Sequence, residues 1–590
     1  MQNTQNSENQ NSPAPDYYSR VNWDLLKLIP KNAGRVIEFG CGAGSLGKEY
    51  KVFNPNAEFI GFEINEDLKD RTTENLDKVF FGDVEQMNLS DCGIAEKSVD
   101  CLVYGDVLEH LKDPVEALKH HLKYLSDDGT LVTCIPHVGH WSILLGLMHG
   151  SWQYSYSGGL LDYTHLRFFT RQTVMWMFEQ VDMTVVDLVS RRANERAPIA
   201  GMYLKDFLEK MRPSIEAFGI DFNKFAVQVS GYQFLVRAKK KEAAKLKHIF
   251  IHSLMLKPTA ACNDVRILEP NDFIGSQPGV IVHNEVSVLN QEIHKSFKNK
   301  VFIYQRPILR YQSNMQALRW LVRNNYLVII EFDDHPERWP EIEQNKYLNY
   351  RGVHAVQTST EPLADFFRQF NPEVAIFPNQ LAQLPRKRLR DSSDNSGKIT
   401  VFFGALNRKD DWAPIMPAIN EVIALHKDKL HFEVIFDREF FDALATEDKN
   451  FTGLCEYPVY QRLLGGADIS LMPLADTMFN RMKSDLKFIE AAGHGAVALA
   501  SDVLYPATLR DGETGVIFTS AEDFKHKFIS LINDNEMRHN IADNAYEYVY
   551  RERLLSQHYM KRLEWYQSLL ARLPELNDAL RLRVPEIFQD

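Results

Sequence analysis

Four short stretches within the first 110 residues carry side chains suited to holding a nucleotide. Glu38 is followed by Gly40, Gly42 and Gly44, and Gly42, Gly44 and Gly47 also satisfy the G-x-G-x-x-G spacing. Glycines belong in a turn where a ligand's adenosine or carboxylate must approach the backbone closely, because a Cβ would block it. Glu63 comes roughly 20 residues later, where a carboxylate accepts hydrogen bonds from both ribose hydroxyls. Asp83 is spaced to meet an adenine amino group, and Asp106-Val-Leu-Glu-His110 adds further acids and a base. The glycines and Glu63 by themselves fit NAD as well as an adenosine-bearing sulfonium compound.

These residues need a frame. Apolar runs at 35–39, 58–63, 79–81, 99–104 and 130–135 alternate with amphipathic stretches such as 114–125. That alternation predicts βαβ units and a parallel sheet, with the candidate acids at the strands' C-terminal ends, the edge where open α/β sheets bind ligands. Runs at 184–189 and 233–236 follow a long insertion and predict a hairpin closing one edge. The lysine-rich stretch 238–247 reads as a linker or solvated helix, since no aromatic residue is interleaved with its lysines. Alternation restarts at 248–251, 280–283, 301–304, 328–332, 355–357 and 374–377. It breaks over the polar stretch 386–398 and resumes at 400–403, 432–436, 469–472, 496–500 and 515–518. The predicted fold is α/β: a Rossmann-like domain over 17–240, a linker at 241–247, and two further Rossmann domains over 248–385 and 398–545. Residues 546–590 close the chain as helices. Across 542–583, Leu554, Leu555, Tyr559, Leu563, Tyr566 and Leu570 are expected to dock on a domain rather than on a membrane.

In their order and spacing, the glycine loop, Glu63, Asp83 and Asp106 to His110 resemble the class I S-adenosylmethionine-dependent methyltransferases over about residues 17–240. Gly150-Ser-Trp-Gln-Tyr154 and the stretch from Asp162 to Thr170 resemble a subgroup common in bacterial surface-polysaccharide clusters. The resemblance implies S-adenosylmethionine as cofactor, with Glu38, Gly40, Gly42, Gly44, Glu63, Asp83 and Asp106 around it. A hydroxyl acceptor benefits from a general base poised near neutral pH, for which His110, His137, His140 and His165 are candidates. His165 ranks first, with Asp162 or Arg167 orienting it or the acceptor, while His110 reads as structural or cofactor-side. A metal cluster of Asp106, Glu109, His110 and His137 or His140 has imperfect acidic spacing, and no metal is expected.

The second half, over about 247–590, resembles retaining GT-B glycosyltransferases related to family 4. The residues that carry this are Val374 to Asn379, Thr400 to Asp410, Asp468 to Leu474 and Phe479 to Glu490. The resemblance implies a nucleotide-sugar donor in a cleft between two domains, where cationic side chains and a helix N-terminus stabilise the departing diphosphate. Arg408 and Lys483 are the phosphate candidates, with Lys409 and Lys487 behind them, and Glu490 matches the acid that contacts the ribose. The family's first acid, seven residues before Glu490, is here Lys483, a departure that bears on the sugar contact. Asp333 or His335 is placed to bind a sugar hydroxyl, or alternatively to serve a cap and turn.

Composition sets outer bounds. The 590 residues are 45% hydrophobic and 25% charged, as in soluble globular proteins. A net charge of −12 provides no general attraction to nucleic acid, and no nucleic-acid partner is expected. Six scattered cysteines without a C-x-x-C pair argue against a disulfide framework or a structural zinc site. Residues 1–16 lack the apolar core of a signal peptide and are expected to be disordered, and no later stretch is apolar enough to span a bilayer. The expectation is a cytoplasmic bifunctional enzyme of O-antigen or capsule biosynthesis. Its partners would be a nucleotide-sugar donor and a glycan or lipid-linked oligosaccharide, the latter bringing it to the inner-membrane surface. Two rivals stand: a methyltransferase joined to a non-catalytic glycan-binding module, and an NAD-dependent sugar-modifying enzyme.

Overall fold

The computed structural model describes residues 17–192, 198–243, 248–257, 262–286, 297–388 and 397–589. The expected leader at 1–16, the end of the linker at 244–247 and the centre of the second polar break at 389–396 lie outside the described residues. The chain divides into two compact units, one of Met1–Lys247 with Gly275–Gly279, the other of His248–Ile274 with Val280–Asp590.

The first unit is built on seven strands: β1 (Arg35–Phe39), β2 (Glu58–Glu63), β3 (Lys78–Phe81), β4 (Val99–Gly105), β5 (Leu125–Pro136), β6 (Met183–Arg191) and β7 (Gln233–Lys240). They lie in the order β3-β2-β1-β4-β5-β7-β6, parallel except for β7, which runs antiparallel to both neighbours. Central strands covered on both faces are largely apolar, and Val36, Ile37, Phe39, Leu102, Val103 and Tyr104 are all buried. Strand order reverses between β1 and β4, so the loops after these two strands open a crevice at the carboxyl edge.

Two expectations for this unit change. The edge is not closed by a simple hairpin: the helices Pro198–Ala217 and Phe222–Ser230 separate β6 from β7. The lysine-rich stretch does not begin as a linker, because Ala238, Lys239 and Lys240 finish β7 opposite Val185, Thr184 and Met183. Backbone pairing places Ala238 in the core, and the Lys240 ammonium donates to the Leu125 carbonyl at 2.8 Å.

The second unit contains two parallel sheets. One has the order β13-β12-β11-β10-β8-β9, from β8 (Ile249–Leu254), β9 (Val280–Glu285), β10 (Asn299–Gln305), β11 (Tyr326–Glu331), β12 (Ala355–Thr358) and β13 (Val374–Ile376). The other has the order β16-β15-β14-β17-β18-β19, from β14 (Ile399–Gly404), β15 (Leu430–Ile435), β16 (Lys449–Thr452), β17 (Ile469–Met472), β18 (Val497–Ser501) and β19 (Val516–Phe518). The helices Leu555–Ala571 and Leu573–Arg583 return to the first of these sheets. The Tyr566 hydroxyl donates to Gln357 Oε1 at 2.8 Å, and Leu580, Val584 and Ile587 share a core with Phe302 and Val328. Their apolar residues therefore dock on protein. Among the described residues no helix is long and apolar enough to cross a membrane, and all six cysteines are free thiols.

Candidate active sites

The turn after β1 depends on left-handed backbone at Gly40, Gly42 and Gly44, with φ of 67°, 55° and 74°. A Cβ on Gly40 would lie 2.5 Å from Val107 Cγ2, and one on Gly42 would lie 2.9 Å from the Tyr18 carbonyl oxygen. Glu63, at the end of β2, clasps this turn: its Oε2 accepts from Gly42 N at 2.7 Å, and its Oε1 accepts from Ile64 N at 2.9 Å and Asn65 N at 3.0 Å. Glu38 is buried beside it, with Oε2 lacking any protein partner. Burial first, and then the Glu63 charge, push the Glu38 carboxyl well above its ordinary range. Asp83 follows β3, half-buried, with Oδ1 accepting from Glu85 N at 3.0 Å and Oδ2 from Gln86 Nε2 at 3.0 Å. The glycines let the turn pack against Val107 and Tyr18, and the buried Glu38 oxygen beside it, still without a donor, fits the polar part of an adenosine-bearing cofactor.

Asp106 closes the crevice after β4 at φ 57°, a left-handed conformation uncommon for a residue with a side chain. Burial raises its carboxyl to about 6, against the Arg191 charge and a hydrogen bond from Gln233 Nε2 at 2.5 Å. Glu109 is fully buried with both carboxylate oxygens unpartnered, and burial and then Asp106 push it well above the usual range. His165 arrives from the insertion and meets His110 edge to face, with ring centroids 4.9 Å apart. Neither the Asp162 nor the Arg167 side chain hydrogen-bonds the His165 ring, while the Asp162 carbonyl accepts from His165 N at 3.1 Å. His165 Nδ1 is 3.2 Å from the Leu160 carbonyl, while Asp162 Oδ1 accepts from Thr164 N at 2.8 Å and Thr164 Oγ1 at 2.6 Å, serving its own turn. The Arg167 guanidinium donates to the Lys112 and Leu166 carbonyls. His110 is exposed beside His165, with its Nδ1 3.2 Å from the Thr164 carbonyl. His137 and His140 stand apart from this pair, with Nδ1 on the Gly231 carbonyl at 3.0 Å and on Ser142 Oγ at 2.8 Å respectively. Burial lowers His137, His140 and His165, His140 to about 4, and partial loss of water around the otherwise exposed His110 lowers it too.

In the second unit, Arg408 follows β14 and donates from NH1 to Asp411 Oδ2 and Asn480 Oδ1, each at 3.0 Å. Lys483 Nζ lies 4.2 Å from the Phe479 ring centroid and 3.6 Å from Asp334 Oδ1. The Lys487 ammonium donates to the Gly404 carbonyl at 2.6 Å. Burial lowers both lysines to about 8, with the Arg408 charge adding to it. Lys409 is corrected: it is exposed and pairs with Glu439 at 2.6 Å on the surface. Asp333 is half-buried, and its Oδ1 accepts from Arg306 Nε at 2.5 Å; burial raises its carboxyl, but the Arg306 charge outweighs this and holds it low. The neighbouring Asp334 instead gathers Lys483, Arg306 at 3.6 Å and Arg338 at 3.4 Å. Glu490 is buried, accepting from the Tyr457 hydroxyl at 2.6 Å and the Tyr460 hydroxyl at 3.2 Å, and burial raises it to about 7.

Residues 16–188 match the family model described as a methyltransferase domain, and residues 431–567 match one described as glycosyl transferase-like. The chain carries a methyltransferase domain and a glycosyltransferase domain. It is similar to an uncharacterized 37.1 kDa protein in transposon Tn4556 of Streptomyces fradiae, 32% identical over 121 residues, 20% of this chain and 33% of that protein. It is also similar to an uncharacterized methyltransferase of Schizosaccharomyces pombe, 32% identical over 120 residues, 19% of this chain and 42% of that protein. The chain thus spans between a third and a half of the length of these curated relatives. Among solved structures, Anabaena HepE in complex with UDP and glucose is 13% identical with a TM-score of 0.40, covering 54% of this chain and 99% of that one.

For the methyltransferase domain, the structure brings Glu38, Gly40, Gly42, Gly44, Glu63 and Asp106 to one carboxyl edge. In the glycosyltransferase domain, Lys483 precedes the helix Leu486–Gly493, which carries Lys487 and Glu490, and the Arg408 charge reaches both lysines. Sequence reasoning missed Asp334, Arg306 and the tyrosine pair on Glu490. The doubled acid Asp333-Asp334 was the only signal for the first, and the i,i+3 spacing of Tyr457 and Tyr460 the only one for the last.

Proposed function

We propose that the chain performs two transfers in surface-polysaccharide biosynthesis: a methyl group from S-adenosylmethionine to a glycan hydroxyl, and a sugar from a nucleotide-sugar donor to a glycan. The observation that carries the reading is the left-handed glycine turn held by Glu63 beside the buried, unpartnered Glu38. S-adenosylmethionine, when bound, supplies an electrophilic methyl group. Glu63 and Asp83 then accept from ribose and adenine, Glu38 takes a donor from the amino-acid end, and His165 Nε2 receives the proton of the acceptor hydroxyl. Tyr154, Tyr156 and Tyr163 form an exposed group near this edge, the last two stacked at 4.8 Å, and such rings suit the apolar faces of sugars.

In the second unit, Arg408, Lys483 and Lys487 would balance the leaving diphosphate, and Glu490 would accept from the nucleotide ribose. Covalent linkage keeps the product of one reaction at high local concentration for the other. The test is mass spectrometry of candidate oligosaccharides incubated with S-adenosylmethionine and a panel of sugar nucleotides. Methyl and glycosyl gains should appear separately, each requiring its own donor; gain of neither with any donor refutes the proposal. Two observations favour a second reading, a glycan-binding module that transfers no sugar: Lys483 stands where the resembled family has an acid, and both Glu490 oxygens are already engaged by tyrosines. A chain that hydrolyses no sugar nucleotide but retains oligosaccharide would favour it.

A further inference from the structure

Just beyond β4, Glu109 is completely buried, and neither of its carboxylate oxygens has a partner in the protein. Leaving such a group without a donor or cation is costly, so its surroundings matter. Two imidazoles stand beside it: His110, next in the chain, and His165, carried in by the insertion. One ligand atom from each of the three residues lies within 4.8 Å of the other two.

Each imidazole has one nitrogen committed to the backbone. His110 Nδ1 is 3.2 Å from the Thr164 carbonyl and His165 Nδ1 is 3.2 Å from the Leu160 carbonyl. Each ring therefore donates Nδ1–H to backbone and keeps the Nε2 lone pair for another partner, the arrangement that fixes tautomer and orientation in metal-ligating histidines. The backbone also secures the insertion, because the Glu109 carbonyl accepts from Leu166 N at 2.8 Å and Arg167 N at 3.0 Å. That lacing holds His165 against Glu109.

We propose that Glu109, His110 and His165 bind one divalent transition-metal ion. Two neutral imidazoles and a carboxylate suit zinc, manganese or ferrous iron, whereas magnesium and calcium favour all-oxygen shells. Three protein ligands leave an open coordination position for an exchangeable oxygen. The site itself stands on these three residues. Its connection to chemistry rests on the methyl-transfer reading above and would revise one step of it: an ion at this site would hold and acidify the acceptor hydroxyl, His165 would serve as a ligand, and the hydroxyl proton would leave to solvent water.

The test uses the untagged full chain, stripped with a chelator and titrated with Zn²⁺ by calorimetry and with Co²⁺ by visible absorption, without cofactor or acceptor. One equivalent should bind, with ligand-field bands for Co²⁺. His110→Ala and His165→Ala should each weaken binding by at least about ten-fold. His110 is exposed, so its removal leaves the core intact, and His149→Ala, at an exposed histidine just past the helix Trp141–Met148, should bind like the parent. Absence of a stoichiometric site, or parent-like binding by both His110→Ala and His165→Ala, overturns the proposal. Methyl transfer measured on the stripped chain separates the two readings: undiminished transfer shows that His165 works without an ion, whatever the binding result.

Discussion

Replacing Glu63 by Gln tests how the cofactor cradle is held. The carboxylate accepts three backbone N–H groups, with one oxygen on Gly42 N at 2.7 Å and the other shared by Ile64 N and Asn65 N. An amide can keep the shared pair with its single oxygen, but it then turns an NH₂ toward the Gly42 donor. The variant loses at least one charge-assisted bond, worth about 1.5–3 kcal/mol, and leaves Gly42 N unsatisfied. Because that bond pre-sets the left-handed turn and the same carboxylate is the proposed ribose acceptor, the Kd for S-adenosylhomocysteine should rise about ten- to hundred-fold. Isothermal titration calorimetry of the full chain measures it, with circular dichroism checking the fold and nucleotide-sugar binding as the internal control. A folded variant whose Kd stays within about two-fold of the parent would refute the reasoning.

Other perturbations follow from the same structure. Lys483→Ala should weaken nucleoside diphosphate binding, whereas Lys409→Ala, at a surface pair, should leave it unchanged in the same titration; equal effects would contradict the placement. Burial holds the Glu490 carboxyl at about 7, and ribose hydroxyls donate to the ionised form, so donor affinity should fall as pH drops through about 7. Because this folded value is raised, the group's contribution to stability is fully present below the ordinary carboxylate range and is lost as pH rises through about 7, opposite in sign to its effect on binding. A binding profile flat from pH 6 to 8 by calorimetry would reject this account of Glu490. Arg553 makes a buried two-pronged pair with Asp485 at 2.6 and 2.9 Å, so Arg553→Ala should cost about 3–5 kcal/mol in chemical denaturation by stranding the carboxylate.

Much of this architecture was legible because buried parallel strands are continuous apolar runs: β1, β2 and β17 begin and end where the sequence places them. β16 escaped notice because Lys449-Asn-Phe-Thr452 offers one apolar residue, enough for an edge strand whose partner supplies the pairing. β5 starts earlier than expected because Leu125 already pairs with Val99, while Asp127-Asp-Gly129 falls where the ladder to β4 shifts register before resuming at Thr130. The glycine turn was readable since its requirement is local. The Glu109, His110 and His165 cluster was not, because it brings together residues 56 positions apart whose meeting depends on backbone bonds from Leu166 and Arg167. Asp333 and Asp334 show a finer limit: side chains adjacent in sequence leave a turn in different directions, and only coordinates tell which one meets Lys483.

The central claim is that one chain holds two separate donor sites. Calorimetric titration of the full chain with S-adenosylhomocysteine, and then with a panel of nucleoside diphosphates, tests it most directly. The account predicts one equivalent of each, with neither affinity changed by saturation with the other ligand. Competition for a single site, or NAD binding in place of S-adenosylhomocysteine, would contradict it.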